Sequence, residues 1–128
     1  MFLVENLSGT EITKTDMDIS FESIGGNIQV VVGSGAMNKN GEDILLSEVK
    51  RNIISPVSLY DVNFMILLCK KVVSGDVEIV ILKSTEVSRG YPSLGSHGYD
   101  LVEVLAEGVI PAGSNLTENL RGKIYHWV

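Results

Sequence analysis

The chain has 128 residues, a formal net charge of −6 and a sequence pI of about 4.8. Hydrophobic residues make up 45% and charged residues 20%, a balance typical of a globular domain with one core and unlike that of a disordered chain. The acidic charge repels nucleic-acid phosphates, and no cluster of lysine and arginine offsets it, so nucleic-acid binding is not expected.

Glycine-containing turns divide the sequence into short runs rich in valine and isoleucine, a pattern typical of a β-rich domain. Six strands are predicted: Phe2–Glu5, Ile19–Glu22, Asn27–Val32, Val77–Lys83, Leu101–Leu105 and Lys123–Val128. The strongest are Asn27–Val32 and Val77–Lys83, which are dense in β-branched residues. We expect a single domain over residues 1–128, of the β-rich α+β class, whose strands form a sandwich or barrel-like sheet.

The stretch Gln29–Asn38, QVVVGSGAMN, resembles a strand that leads into a nucleotide-binding loop. A dinucleotide loop needs a third glycine and a helix directly after it, because the helix N-terminus binds the pyrophosphate. Asn38 stands where the third glycine would be, and the following KNGED indicates another turn. The lysine and hydroxyl residue of a P-loop are also missing. We therefore interpret the stretch as a turn and expect no cofactor.

One short helix is predicted near residues 42–54, in the sequence EDILLSEVKRNI. Acidic residues fall in its first turn and basic residues near its last, as helix termini favour, and Pro56 follows. Its apolar residues recur at helical spacing: Ile44, Leu45, Val49 and Ile53.

The segment Ser58–Val73 fits two structures. It could be a capped helix, or a strand that forms a hairpin with Val77–Lys83. The hairpin is favoured because Val72 and Val73 run directly into the turn Ser74-Gly75-Asp76.

The segment SLGSHGYD, residues 93–100, contains Ser96, His97 and Asp100, the residue types of a hydrolytic triad. Triads are normally assembled from separate elements, since one short loop rarely aligns a nucleophile, a base and an acid. The serine, glycine and proline content favours an exposed loop, and such loops often bind partners. We expect no catalytic residue here. The predicted contact residues in and beside the loop are Arg89, Tyr91, His97 and Tyr99.

Metal and disulfide chemistry are not expected. His97 and His126 lie far apart, and the single cysteine, Cys69, lies in an apolar run typical of a small buried side chain. A lone cysteine cannot form an internal disulfide, so nothing indicates an oxidising compartment. The same run, Phe64–Cys69, is too short to cross a membrane, and no signal peptide is recognised, so we expect a soluble protein made in the cytosol.

The chain ends in KIYHWV, whose apolar and aromatic content on both faces is typical of a strand in a sheet or of a tail that docks on a neighbouring subunit. The N-terminal strand is the other candidate for an adhesive edge. The predicted interaction residues of the two ends are Phe2, Val4, Tyr125 and Trp127.

Two phrases, LVENLSGTEITKTDMDI at Leu3–Ile19 and DILLSEVKRNII at Asp43–Ile54, lie on either side of a glycine-rich hairpin, and a third, EGVIPAGSNL, occupies Glu107–Leu116. This layout resembles that of small structural proteins of tailed-phage virions. The matching residues of the first two phrases are Asn6, Leu7, Ser8, Gly9, Glu11, Ile12, Asp16, Ile19, Ile44, Leu45, Leu46, Ser47, Glu48, Lys50, Arg51 and Ile53. The third phrase is similar to turns over Pro and Gly that join short strands in virion β-domains.

The resemblance implies a non-enzymatic structural protein of a tailed-phage virion: a capsid decoration, neck or tail component. It would act by edge-strand pairing and apolar docking, with copies of itself and with other virion proteins as partners. We expect it in the virion, with no cofactor, metal, nucleic-acid or membrane partner.

The alternative is a small acidic inhibitor, either an immunity protein or an anti-defence protein. Its charge of −6 would steer it to a basic face of a toxin or nuclease. An enzyme, with the His97 loop as its only candidate site, is the third hypothesis. The inhibitor hypothesis predicts one patch of acidic residues, made of Asp16, Asp18, Glu22, Glu42 and Asp43.

Overall fold

The computed structural model describes residues 1–54, 59–87 and 90–128, and within them the regular structure is almost entirely β. The strands are β1 (Phe2–Leu7), β2 (Ile12–Asp16), β3 (Ile19–Ile24), β4 (Asn27–Val32), β5 (Gly35–Lys39), β6 (Glu42–Leu46), β7 (Val49–Ile54), β8 (Val62–Lys71), β9 (Val77–Thr85), β10 (Tyr99–Ile110) and β11 (Arg121–Trp127). Two 3₁₀ turns, Gly95–His97 and Thr117–Asn119, are the only helical elements in these ranges. None of the helices in the described part of the chain has the length and apolarity to cross a bilayer.

The larger layer is a five-stranded sheet in the order β1-β11-β10-β8-β9. The two terminal strands, β1 and β11, are neighbours in it and run parallel, while every other pairing in the sheet is antiparallel. The chain therefore begins and ends in the same sheet, and β1 forms one of its edges.

The other layer is a three-stranded antiparallel meander that is bent across its middle. Its limbs are residues 12–24, 27–39 and 42–54, each made of two strands, and two-residue turns at Gly25-Gly26 and Asn40-Gly41 join them. All four turn residues have positive φ, as tight hairpins require. Met17 N–H donates to Ser34 O at 3.2 Å and Gly33 N–H to Asp18 O at 2.9 Å, so the pairing of the first two limbs continues through the bend.

The inside of the bend is closely packed. Met17 has a φ of 56° and is fully buried. A Cβ added to Gly35 would lie 2.5 Å from Met17 N and 2.8 Å from Met17 Cγ. Glycine at this position therefore lets the second limb cross the Met17 side chain at a distance that other residues do not permit.

The hydrophobic core lies between the meander and the five-stranded sheet and draws residues from both layers. At one side the first limb contacts β11 through β2, and at the other side the third limb contacts β9 through β6 and β7. The predicted β-rich sandwich or barrel-like sheet is therefore confirmed.

The three phenylalanines of the chain form one cluster in this core. Four residues lie in one row across β8, β10, β11 and β1, each opposite the next: Phe64, Gly108, Gly122 and Phe2. The rings of Phe2 and Phe64 lie over the two glycines, and Phe21 from the meander stacks on Phe2 with ring centres 4.7 Å apart. The absence of side chains at two positions thus makes room for the rings that hold β1 against the rest of the fold.

The predicted helix near residues 42–54 is wrong. The segment forms strands β6 and β7, because its buried residues alternate: Ile44 and Leu46 face the core, and Leu45 between them is 72% exposed. The Asn40-Gly41 turn pairs β6 with β5, and tertiary pairing of this kind overrides local helix propensity. A helix would have left the edge of β5 without its partner.

The other strand predictions are confirmed, and β10 extends well beyond the predicted Leu101–Leu105. Val62–Lys71 pairs with Val77–Thr85, so the hairpin is the correct structure for the part of Ser58–Val73 that is described; Ser58 itself lies outside the described residues. The stretch Gln29–Asn38 is not followed by a helix. It forms β4, the bend and β5, so the chain continues forward at Gly33 and Ser34 where a reversing turn was expected.

Cys69 is buried on the face of β8 that points away from the main core. Phe64, Ile66 and Leu68 point from β8 into the core. Leu67 and Cys69 point to the opposite face of the strand, and they are buried as well. Burial, assisted by the charge of Glu78, raises the pKa of the Cys69 thiol to about 11. The thiol is therefore neutral and enclosed, as predicted for a small buried side chain.

We expect Gly122→Ala to destabilise the fold by about 1–3 kcal/mol, the usual cost of overpacking a core. Its Cβ would lie 2.6 Å from Gly108 Cα and 2.7 Å from Phe2 Cε1. Gly95→Ala is the matched control, because nothing lies within 3.8 Å of its added Cβ and it should change stability by less than about 0.5 kcal/mol. Equal effects of the two substitutions in urea unfolding would contradict the packed row.

We expect the Cys69 thiol to be unreactive in the native protein at pH 8 and to react with an aromatic disulfide reagent once the chain is unfolded. In a Val73→Cys variant, whose new thiol replaces a 99% exposed side chain, one thiol should react at once. Rapid labelling of native Cys69 would contradict its burial.

Because the folded pKa of the Cys69 thiol, about 11, exceeds the ordinary 9.0, the contribution of Cys69 to stability is complete below pH 9 and falls between pH 9 and 11.

Candidate functional site

The predicted interaction residues lie in two places: on the paired terminal strands, and on the segment that connects β9 to β10. Phe2, Val4, Tyr125 and Trp127 belong to the first group, and Tyr91, His97 and Tyr99 to the second. Arg89 lies outside the described residues. Tyr91 approaches the first group, because it lies beside Glu107, to which Tyr125 donates a hydrogen bond. His97 and Tyr99 lie at the other end of β10, so the seven residues do not form one site.

The terminal strands use part of their apolar surface inside the chain. Phe2 packs in the aromatic cluster, and Trp127 is 7% exposed in the core. Tyr125 donates a hydrogen bond to Glu107 Oε1 at 2.8 Å, and burial together with this bond raises its pKa to about 12. Glu5 and Lys123 form an ion pair of 3.3 Å between β1 and β11. Of the four residues predicted at the chain ends, Val4 is the one whose side chain is largely exposed.

The outer side of β1 is an unpaired strand edge. Gly122 N–H donates to Met1 O, and Val128 N–H donates to Leu7 O. Backbone groups alternate in direction along a strand. The N–H and C=O groups of the odd-numbered residues of β1 therefore point to β11, and those of Phe2, Val4 and Asn6 point away from it. No strand among the described residues pairs with this side. We call the outward N–H and C=O groups of Phe2, Val4 and Asn6 the β1 edge.

The β1 edge lacks the usual protection of an edge strand. Natural sheets discourage edge pairing with charged side chains, above all lysine, and with proline or a bulge. FLVENL contains no lysine, proline or bulge, and its one charged residue, Glu5, is paired with Lys123. Leu3 is 61% and Val4 63% exposed, on opposite faces of the strand. The edge therefore presents free hydrogen-bonding groups flanked by apolar side chains, a surface suited to another extended strand.

A hydrogen-bonded group of side chains lies at the start of β10, where the connection from β9 enters the sheet. Tyr99 donates to Glu78 Oε2 at 2.8 Å, and Lys71 pairs with Glu78 Oε1 at 3.1 Å. The bond from Tyr99 and then that from Lys71 lower the pKa of Glu78, while the bond to Glu78 raises the pKa of Tyr99 and that of Lys71. These contacts stabilise the ionised carboxylate and hold three strands together.

The connection also borders a shallow apolar groove of about 220 Å³ on the outer face of the sheet. The groove is lined from β9 by Val80 and Leu82 and from the connection by Pro92, Leu94 and His97. Because these residues cover the face that carries Leu67 and Cys69, the connection acts as packing for the outside of the sheet.

The triad residue types do not form a triad. His97 Nδ1 lies 2.9 Å from Ser93 O and 3.2 Å from Ser96 Oγ, so one ring nitrogen makes both contacts. No hydrogen bond within the described ranges joins Asp100 to His97, and Asp100 is on β10 opposite Lys70. Tyr91 lies elsewhere, beside Glu107, where burial and the carboxylate charge raise its pKa.

Acidic residues do not gather into one patch either. Asp16 and Asp18 flank the bend of the first limb, Glu22 lies beyond it in β3, and Glu42 and Asp43 begin the third limb. Glu42 pairs with Lys70, and Asp43 accepts a hydrogen bond of 2.8 Å from Asn38 Nδ2. Across residues 1–54, 59–87 and 90–128, histidine, cysteine and acidic side chains nowhere form a group of three that could hold a metal ion.

The sequence indicates the N-terminal strand as an adhesive edge but not the glycine–phenylalanine row. It also does not indicate which backbone groups of the strand remain free, because the register of β1 on β11 decides this. The signal for the row was present in the two glycines, Gly108 and Gly122, which lie inside runs of strand-forming residues; an isolated strand glycine indicates close approach of another group.

No protein-family profile matches the sequence, and comparison with curated proteins gives no match. The fold is similar to that in the crystal structure of the gene 22 product of the Bacillus subtilis SPP1 phage. The TM-score is 0.66 at 17% sequence identity, and the match covers 100% of this chain and 92% of that chain. The resemblance to phage proteins is therefore confirmed at the level of the fold: over its whole length, this chain has the fold of a phage gene product.

Proposed function

We propose that the protein is a non-enzymatic structural component of a tailed-phage virion, a capsid decoration, neck or tail protein that assembles with copies of itself and docks on other virion proteins. The observation that carries the proposal is the fold shared, over the full length of the chain, with a phage gene product. The sequence layout that resembles virion proteins supports the same role.

The geometry of the candidate residues favours assembly over catalysis. Ser96 and His97 bond to the backbone of their own connection, and the carboxylate of Glu78 is engaged by two strand residues. The β1 edge, by contrast, has hydrogen-bonding groups directed away from the molecule, next to exposed apolar side chains. Strand edges and exposed apolar side chains are the surfaces through which β-rich subunits associate.

Other exposed apolar side chains supply surfaces for the docking of further virion proteins. Leu45 projects from β6, and Val72 and Val73 form the tip of the β8–β9 hairpin with exposures of 57% and 99%. These side chains lie on the side of the molecule opposite β1, so one subunit can contact one partner through β1 and another through the opposite side.

We expect the chain to co-purify with phage particles produced by a phage that carries its gene, at a constant number of copies per particle. Quantitative mass spectrometry of gradient-purified particles measures this number, and a known non-virion protein of the same phage serves as the control. Recovery of the chain only in the soluble lysate would contradict a virion role.

Self-assembly is tested separately with the purified chain. Light scattering after size exclusion should show a discrete assembly that forms with increasing concentration. A monomer at all concentrations would contradict self-assembly and would favour the acidic-inhibitor alternative, for which capture of a basic protein would be the next observation.

A further inference from the structure

We propose that the β1 edge binds the same edge of a second copy of this chain, antiparallel and with Val4 on the two-fold axis. The inference rests on the proposed function, because it names the contact through which self-assembly begins. The two five-stranded sheets would then continue as one sheet across the interface.

The positions of the outward groups select this register. Phe2, Val4 and Asn6 present the β1 edge, and they are symmetric about Val4. With Val4 opposite Val4, Phe2 of each copy faces Asn6 of the other, and all outward N–H and C=O groups of the three residues find partners. A shift of two residues along the strand leaves some of these groups unpaired.

Side-chain chemistry favours the same register. Strand residues that face one another share a face of the sheet, so the Val4 side chains, each 63% exposed, would meet on the axis. Glu5, the only charged residue of β1, would face Leu3 of the second copy, and its charge is already paired with Lys123 at 3.3 Å. The shift that puts Glu5 opposite Glu5 would place like charges together, which destabilises a strand pair.

The opposite edge of the sheet is a less suitable partner for β1. The third limb lies beside β9 through β6 and β7, and the connection that contains Pro92 and Leu94 borders β9 on its outer face. These neighbours leave less room beside β9 for an incoming strand. No strand among the described residues lies against the outward groups of β1, and two identical edges satisfy each other in a closed, two-fold contact.

Cross-linking tests the register directly. In the proposed pair, residues 4 of the two copies are opposite each other with Cα atoms about 5.5 Å apart, within reach of a disulfide. With oxidised glutathione as the oxidant, Val4→Cys should give a covalent dimer at least about tenfold faster than Val73→Cys, whose exposed thiols meet only by collision. Leu3→Cys should be slow as well, since Leu3 faces Glu5. Cys69 is buried and does not interfere.

A second pair of variants tests the hydrogen bonds without new covalent chemistry. Val4→Pro removes an N–H that points away from β11, so the fold should persist, as proline is tolerated at the open side of an edge strand. Val4→Thr keeps the N–H and is the matched control. We expect Val4→Pro to raise the dissociation constant of self-association by at least about tenfold, because two symmetric hydrogen bonds are lost, and Val4→Thr to leave it nearly unchanged.

Light scattering of the unmodified chain distinguishes a failure of self-assembly from a failure of the β1 pairing. If the chain assembles but Val4→Cys cross-links no faster than Val73→Cys, or if Val4→Pro assembles like Val4→Thr, the β1 pairing is overturned and self-assembly stands. If the unmodified chain is monomeric at every concentration, self-assembly and the β1 pairing are both overturned. Fast Val4→Cys cross-linking together with weakened assembly of Val4→Pro supports the pairing.

Discussion

The close approach of β10 to β11 at Gly108 and Gly122 is the constraint on which the arrangement of the terminal strands depends. A Cβ at either glycine would overlap backbone or a phenylalanine ring, so the row can hold Phe2 and Phe64 only because both positions lack side chains. Phe2, together with Leu7, packs β1 against the core, and the parallel register of β1 on β11 places Phe2 opposite Gly122. The direction of the free edge is a consequence of that register.

The bent meander completes the same contact from the other layer. Equal limbs joined by two-residue turns give the three strands a fixed register, and the bend at Met17 and Gly35 curves them over the five-stranded sheet. Phe21 thereby reaches Phe2 at a ring distance of 4.7 Å. The meander also lies beside β9. No strand among the described residues pairs with the outer side of β1, which is therefore open to a partner.

Much of the fold could be predicted from local pattern, and its long-range pairing could not. Valine-rich runs and glycine turns identify Asn27–Val32 and Val77–Lys83 as strands because those signals are local. The apolar residues of 42–54 recur at a spacing that fits a helix. The segment forms strands instead, because the Asn40-Gly41 turn brings it against the free edge of β5. For the candidate site, the sequence indicates Val4 as adhesive but places Phe2 and Trp127 on the surface, since burial by a distant strand leaves no local signal.

Residue-resolved amide hydrogen exchange in β1, measured by NMR at low and high protein concentration, is the most direct measurement of a free edge that is completed on assembly. At low concentration the amides of Leu3 and Glu5, which face β11, should be protected, while those of Val4 and Asn6 exchange quickly. At high concentration Val4 and Asn6 should become protected as well. Equal protection of all four amides in dilute solution, or continued fast exchange of Val4 and Asn6 in the assembled protein, would contradict this account.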